Sequence, residues 1–199
     1  MLVRAHGPTR QRRRQGGGLL VESALVVLVM VAILGAFLHE YAQQLDVQAA
    51  IGDVRWALEV AQAARSWVQQ NDIASSVALG QHSTTLITPA VLVSNGALPA
   101  NFALVPPSGS AQVSVYAQGT AAHPLYGILV VTGRMLRAAA GAQIQAQQPR
   151  HASAFVVLVS AGEGTFSARA GVSGALPNYG VALTDPSSVM RVGAFAWAD

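Results

Sequence analysis

Apolar positions follow two regimes along the first third of the chain. From Leu19 to Leu38 they surround the chain on all sides, with Glu22 the only charge, and the 15 residues from Ala24 to Leu38 carry none. At 1.5 Å per residue, a helix over this run is about 30 Å long, the thickness of a bilayer's hydrocarbon core. Val26, Val27, Val29, Val31 and Ile33 disfavour an isolated aqueous helix but are tolerated in lipid, where each backbone group must be bonded within its own segment. From Val47 the pattern becomes one-sided. Val47, Ile51, Val54, Leu58, Ala61, Ala64 and Val68 recur at helical spacing, while Gln43, Gln44, Gln48, Asp53, Glu59, Gln62 and Gln69 fill the other positions. This predicts an amphipathic continuation of the same helix over 39–72, with its apolar stripe on a sheet; Trp56 and Trp67 are core or contact residues, with the core favoured. No Pro interrupts the chain between Leu19 and Thr88, and Asn71 and Asp72 are the expected terminators.

Beyond Asp72 the periodicity changes. Thr88-Pro89 reads as an N-cap with Pro in the first helical position, opening a short helix through Ser94 that ends at Asn95-Gly96. Gln112–Gln118 alternates as a strand, and Gly127–Thr132 is a short apolar run suited to a buried one. Arg134–Gln148 favours a second helix, stopped by Pro149. Ala154–Ser160 reads as a further strand, Gly162-Glu163-Gly164 as a hairpin turn, and Thr165–Ala170 as the completion of a meander. The stretch from Gly171 to Asp199 is rich in turn residues and gives no clear period. The expectation is an α+β domain over 73–199, with three to five antiparallel strands laid against the long helix.

Charge separates along the chain. The charged fraction is 11%, against about 25% in ordinary globular domains. All 12 basic residues are Arg, and Arg4, Arg10, Arg12, Arg13 and Arg14 precede Gly16 in a stretch without acids. All nine carboxylates come later, against the seven remaining Arg, leaving a net charge of −2 there. A pI of 10.0 therefore describes a terminal tag rather than a folded basic patch, which argues against a nucleic-acid partner. By the positive-inside rule, Arg before the apolar run and Glu40, Asp46 and Asp53 after it place Met1 in the cytoplasm and the remainder across the membrane. A cleaved secretory signal has an apolar region of about 7–15 residues followed by a small-x-small site; this run is longer and continues into His39-Glu40-Tyr41. That reading also leaves Glu22 unexplained, and an acid in the first turn of a membrane helix points to a function or a partner.

Gly16-Gly17-Gly18-Leu19-Leu20-Val21-Glu22, after basic residues and before an apolar run, resembles the processing site of type IV prepilins. That family has a short basic leader, a Gly at the scissile bond and a Glu as fifth residue of the mature chain. Cleavage after Gly17 makes Gly18 the first residue and Glu22 the fifth. Cleavage after Gly18 makes Leu19 first and Glu22 fourth; the Glu spacing favours the former. The resemblance implies a leader over 1–17, an assembly and transmembrane helix over 18–38, and processing and N-methylation by a prepilin peptidase. It also implies other pilin subunits and the inner membrane as partners, with Glu22 of one subunit neutralising the α-amine of another. Ala61–Asn71, Ile87–Phe102 and the closing Gly193-Ala194-Phe195-Ala196-Trp197 are similar to the constant region of PilV-type, shufflon-associated minor pilins of the type IVb branch. The Cys pair that closes a loop in many pilins is absent, as is the helix-kinking Pro of the type IVa branch.

Candidate chemistry is sparse. His6, His39, His82, His123 and His151 are scattered without H-x-H or H-E-x-x-H spacing, so no metal site is expected. With no Cys, disulfides, thiolate zinc sites and Cys nucleophiles are excluded. Gly171-Val172-Ser173-Gly174 is not a nucleophile elbow, and a phosphate loop would need a Lys that the chain lacks. The sequence thus predicts no catalytic residue and no cofactor. It predicts instead a structural subunit of a type IV pilus or a related conjugative or secretion filament; the alternative is a single-pass anchored extracytoplasmic binding domain that does not polymerise.

Overall fold

The computed structural model describes residues 12–147, 153–168, 171–186 and 189–198. Its first element, α1, is one helix over Arg12–Gln70. By internal contacts the chain divides after Gln43, so the apolar part of α1 belongs to one unit and the amphipathic part to the folded domain over Gln44–Asp199. The predicted terminators act as such. The Asn71 side chain and backbone N–H both donate to the Trp67 carbonyl, at 2.7 and 3.1 Å, and Asp72 Oδ1 accepts the Ala74 N–H at 3.1 Å.

The domain is α+β, a pilin-like layout in which the amphipathic half of α1 covers one antiparallel sheet. Its strands are β1 (His82–Ser83), β2 (Ala111–Thr120), β3 (His123–Arg137), β4 (Ala154–Ser160), β5 (Thr165–Ala168), β6 (Ser173–Ala175) and β7 (Val189–Ala198). They form a seven-stranded sheet in the order β1-β2-β3-β7-β4-β5-β6, more than the three to five expected. The additional strands are two-residue β1, three-residue β6 and the C-terminal β7, which lies between β3 and β4. The short helix α2 (Pro89–Ser94) runs as predicted: Thr88 Oγ1 accepts the Val91 N–H at 3.3 Å, and Asn95 and Gly96 close the helix.

A second expectation is corrected. Arg134–Arg137 is not helical but completes β3, with Met135–Arg137 pairing with Val189–Arg191 of β7 after a bulge between Val131 and Met135. Helix α3 begins only at Ala138 and ends at Ala146. Local helix propensity over Arg134–Arg137 yields to the ladder with β7. Gly133 lies in the bulge, where a Cβ would meet Ser110 Oγ, so a larger residue there requires the Ser110 side chain to turn away. Pro149, the expected stop, and residues 169–170 of the expected Thr165–Ala170 strand lie outside the described residues.

Both sheet faces are buried. One face meets α1: Val113 and Val115 of β2, Ile128 and Val130 of β3, and Ala194 and Ala196 of β7 share a cluster with Ala57, Val60, Ala61, Ala64 and Val68. Val156, Leu158 and Val192 continue it with Val47, Ala50 and Val54 of α1 and Ala140 and Ile144 of α3. The opposite face carries Leu129, Val131, Val157, Val159, Phe166 and Phe195, covered by a 3-10 turn over Leu176–Tyr179 and by Val181. Burial on both faces explains why Gly127–Thr132 reads as continuous rather than alternating apolar sequence. In β7 the faces differ in size: Ala194, Ala196 and Ala198 meet the helix, whereas Phe195 and Trp197 join the aromatic cluster, their rings edge-on at 4.7 Å.

Candidate membrane and assembly segment

Each side chain that the sequence marks for function lies on the N-terminal part of α1. Gly17, Gly18 and Leu19 are within its helical backbone, and Glu22 follows on an exposed surface. Arg4 and Arg10 of the expected leader lie outside the described residues. Three successive glycines each weaken a helix by about 1 kcal/mol relative to Ala, so Gly16–Gly18 is a locally weak stretch of α1.

C-terminal to this junction is a surface with nothing on it. Leu20, Leu28, Met30 and Phe37 are 72%, 70%, 66% and 66% exposed. This is the one helix among the described residues long and apolar enough to cross a membrane; it lies near the N-terminus, and none of its most apolar window is buried in the chain. A core helix of a soluble domain can match its composition but would be covered. Ser23 donates its hydroxyl to the Leu20 carbonyl at 3.1 Å, and Glu22 is the only ionisable side chain from Leu20 to Leu38. At the far end His39 and Gln43 are hydrogen-bonded at 3.0 Å across one helical turn.

In the folded domain, the polar groups with defined partners are structural. Asp53 is fully buried, which corrects its assignment to the polar face of the helix. Its Oδ1 accepts the Ser108 N–H at 2.8 Å and its Oδ2 accepts Arg134 Nε at 2.7 Å. Three residues on, Trp56 is in the core as expected; its Nε1 donates to the Ala103 carbonyl at 2.7 Å and its ring stacks on Phe102. Trp67 is only partly buried, packed at the edge of the cluster. Arg191 binds Asp185 through two hydrogen bonds of 2.5 and 2.7 Å, and these hold the Asp185 carboxyl below the usual carboxylate range. Tyr179, buried among Phe166, Phe195 and Tyr116, has its hydroxyl pKa raised by desolvation. Glu163 is in the turn between β4 and β5, as predicted, its N–H donating to Ser160 Oγ at 3.3 Å. Among the described residues no group of three or more His, Asp or Glu could hold a metal ion; His6 and His151 lie outside them.

No protein family, curated protein or solved structure matches this chain.

Proposed function

We propose that the chain is a structural subunit, of the minor-pilin kind, of a type IV pilus or a related conjugative or secretion filament, and that it is not an enzyme. The observation that carries this reading is the uncovered apolar helix running on, without a break in α1, into the helix that covers one face of an antiparallel sheet. Before assembly that surface is satisfied by the inner membrane, with the Arg leader in the cytoplasm and the sheet domain on the other side. In a filament it is satisfied by the same segment of neighbouring subunits. Transfer from lipid to filament core gains little hydrophobic energy, so close packing at Ala24, Ala32, Gly35 and Ala36 supplies much of the drive.

Glu22 fits this scheme. Cleavage after Gly17 by a prepilin peptidase removes the five leader Arg and creates an α-amine at Gly18, which the peptidase then methylates. A lone ammonium or carboxylate in an apolar core costs several kcal/mol, so pairing each amine with a neighbour's Glu22 both neutralises it and sets subunit register.

Intact mass and N-terminal sequencing of membrane-extracted protein test the reading. The expected product starts at Gly18 or Leu19 and retains the apolar run; a start beyond Leu38 identifies an ordinary secretory signal and overturns it. In the same background, Glu22→Ala leaves cleavage intact and lowers the yield of sheared filaments, and Glu22→Gln separates charge from size. Assembly of both variants at the wild-type level removes Glu22 from the mechanism.

A further inference from the structure

The apolar run of α1 ends at Leu38 when all faces of the helix are counted together, but along one face it continues. Leu38, Tyr41 and Leu45 recur at intervals of three and four residues, flanked by Ala42 and Ala49. At about 100° per residue, Leu38 and Leu45 lie about 20° apart around the helix. Val47 is about 160° from Leu45, on the side that packs with Val156, Leu158 and Val192. Glu40 and Gln43 fall on that far side too, and Gln44 and Asp46 lie about 100° to either side of Leu45.

Within the folded domain this face is first bare and then covered. Leu45 is 47% exposed, and Ala49 is exposed as well. At Gly52 a Cβ would lie 3.3 Å from Pro107 Cγ, and one turn on, Trp56 Nε1 donates to the Ala103 carbonyl. The loop before β2 therefore covers this face from Gly52 onward. Helix length indicates what meets the part before it. From Leu20 the helix rises about 27 Å to Leu38 and about 38 Å to Leu45. The ordinary tilt of membrane helices, about 20°, shortens the second span to about 35 Å. That matches a hydrocarbon core of about 30 Å plus one headgroup layer. Tyr41, 54% exposed, suits such a layer, because its ring is apolar and its tip is polar.

We propose that Leu45 and Ala49, continuing the stripe of Leu38 and Tyr41, are an interfacial contact that seats the first turns of the folded domain in the phospholipid headgroup layer. The helix then leaves the membrane one face at a time: the side bearing Val47 is already covered by the sheet, while the opposite side stays in lipid for two further turns. The attraction is apolar. The formal charges nearest in sequence, Glu40 and Asp46, are both acidic, so anionic headgroups add nothing and the contact is insensitive to salt. The inference rests on the membrane part of the proposed function and not on filament assembly.

The full chain has no Cys, so a single introduced cysteine carrying an environment-sensitive fluorophore reports one position. The chain is reconstituted at low density in phosphatidylcholine vesicles containing lipids spin-labelled either near the headgroup or deep in the acyl chain. Leu28→Cys, in the middle of the apolar run, is the reference and is quenched by the deep label. Quenching by the shallow label is expected to be about twofold or more stronger at Tyr41→Cys and Leu45→Cys than at Gln44→Cys and Asp46→Cys, and to persist in about 1 M salt. All four positions are exposed, so labelling leaves the core untouched. Leu28→Cys quenched but Leu45→Cys quenched no more than its two flanking positions overturns the proposal and leaves the membrane reading standing. Leu28→Cys unquenched overturns the membrane reading and the proposal with it. Disulfide-linked dimers of unlabelled Leu45→Cys, in place of lipid quenching, assign the face to a second copy and also overturn the proposal.

Discussion

Asp53 shows how a single residue can escape a periodicity argument. Its neighbours on the sequence place it among polar helix positions, but its partners are 55 and 81 residues away, in the loop before β2 and in the β3 bulge. The pair is asymmetric, with Asp53 fully buried and the Arg134 side chain 30% exposed. Arg134→Ala strands a carboxylate without solvent and is expected to cost about 3–5 kcal/mol. Asp53→Asn keeps an acceptor for the Ser108 N–H and leaves a guanidinium that can reach water, so about 1–3 kcal/mol is expected. Thermal unfolding of both variants in the same detergent checks the order; an equal or greater loss for Asp53→Asn would contradict it. Asp185 gives a pH dependence. Its folded-state pKa is depressed, chiefly by the hydrogen bonds from Arg191, so its contribution is present above the unfolded value of about 4 and is lost as pH falls through the lower folded value. Asp185→Asn is expected to flatten the melting temperature below about pH 4 and to lower it at neutral pH. An unchanged acid limb would show that other groups control it.

At the scale of elements, the contact between α1 and the sheet is built on small side chains. Ala50, Ala57, Ala61 and Ala64 are fully buried on the helix, and Ala154, Ala194 and Ala196 on the strands. The stripe legible in the sequence contains Ala61 and Ala64 but omits Ala50 and Ala57, and two of its larger members, Ile51 and Leu58, are only partly buried. Alanine carries little periodic signal, so the deepest line of contact is only partly legible. Ala61→Leu adds volume where the backbones are close and is expected to destabilise the fold by about 1–3 kcal/mol. Leu58→Met, at the margin, should cost less than about 1.5 kcal/mol. Denaturation midpoints compare the two, and a harmless Ala61→Leu would mean that the helix stands further from the sheet. Legibility in other elements follows the same physics. Helix α2 carries its own cap, Pro and closing Gly, all local, and it was read to the residue. The end of β3 and all of β7 depend on pairing with distant strands, and Gly193-Ala194-Phe195-Ala196-Trp197 alternates only between small and aromatic residues. The apolar segment was readable because its length and composition are themselves the signal.

For the molecule as a whole, the decisive feature is the position of β7. The last strand of the chain joins β1-β2-β3 to β4-β5-β6, because β3 and β4 pair with β7 and not with each other. It also supplies residues to both clusters, Ala194 and Ala196 beneath the helix and Phe195 on the opposite face. The helix-side cluster is completed by α1 residues from Val47 onward, all C-terminal to the division after Gln43. The apolar stripe of that half of α1 is therefore satisfied by the domain's own sheet and needs no lipid. Residues 44–199, expressed without the apolar segment, are expected to form a soluble monomer with mixed helix and strand signals in far-ultraviolet circular dichroism and one cooperative thermal transition. The same fragment ending before Val189 is expected to lose that transition, since two unpaired strand edges and an open core replace one sheet. Gel filtration and circular dichroism of the two fragments decide it. Aggregation of the longer fragment would mean that the amphipathic half of α1 needs other subunits to cover it, whereas a cooperative shorter fragment would mean that β7 is an accessory to a sheet already formed.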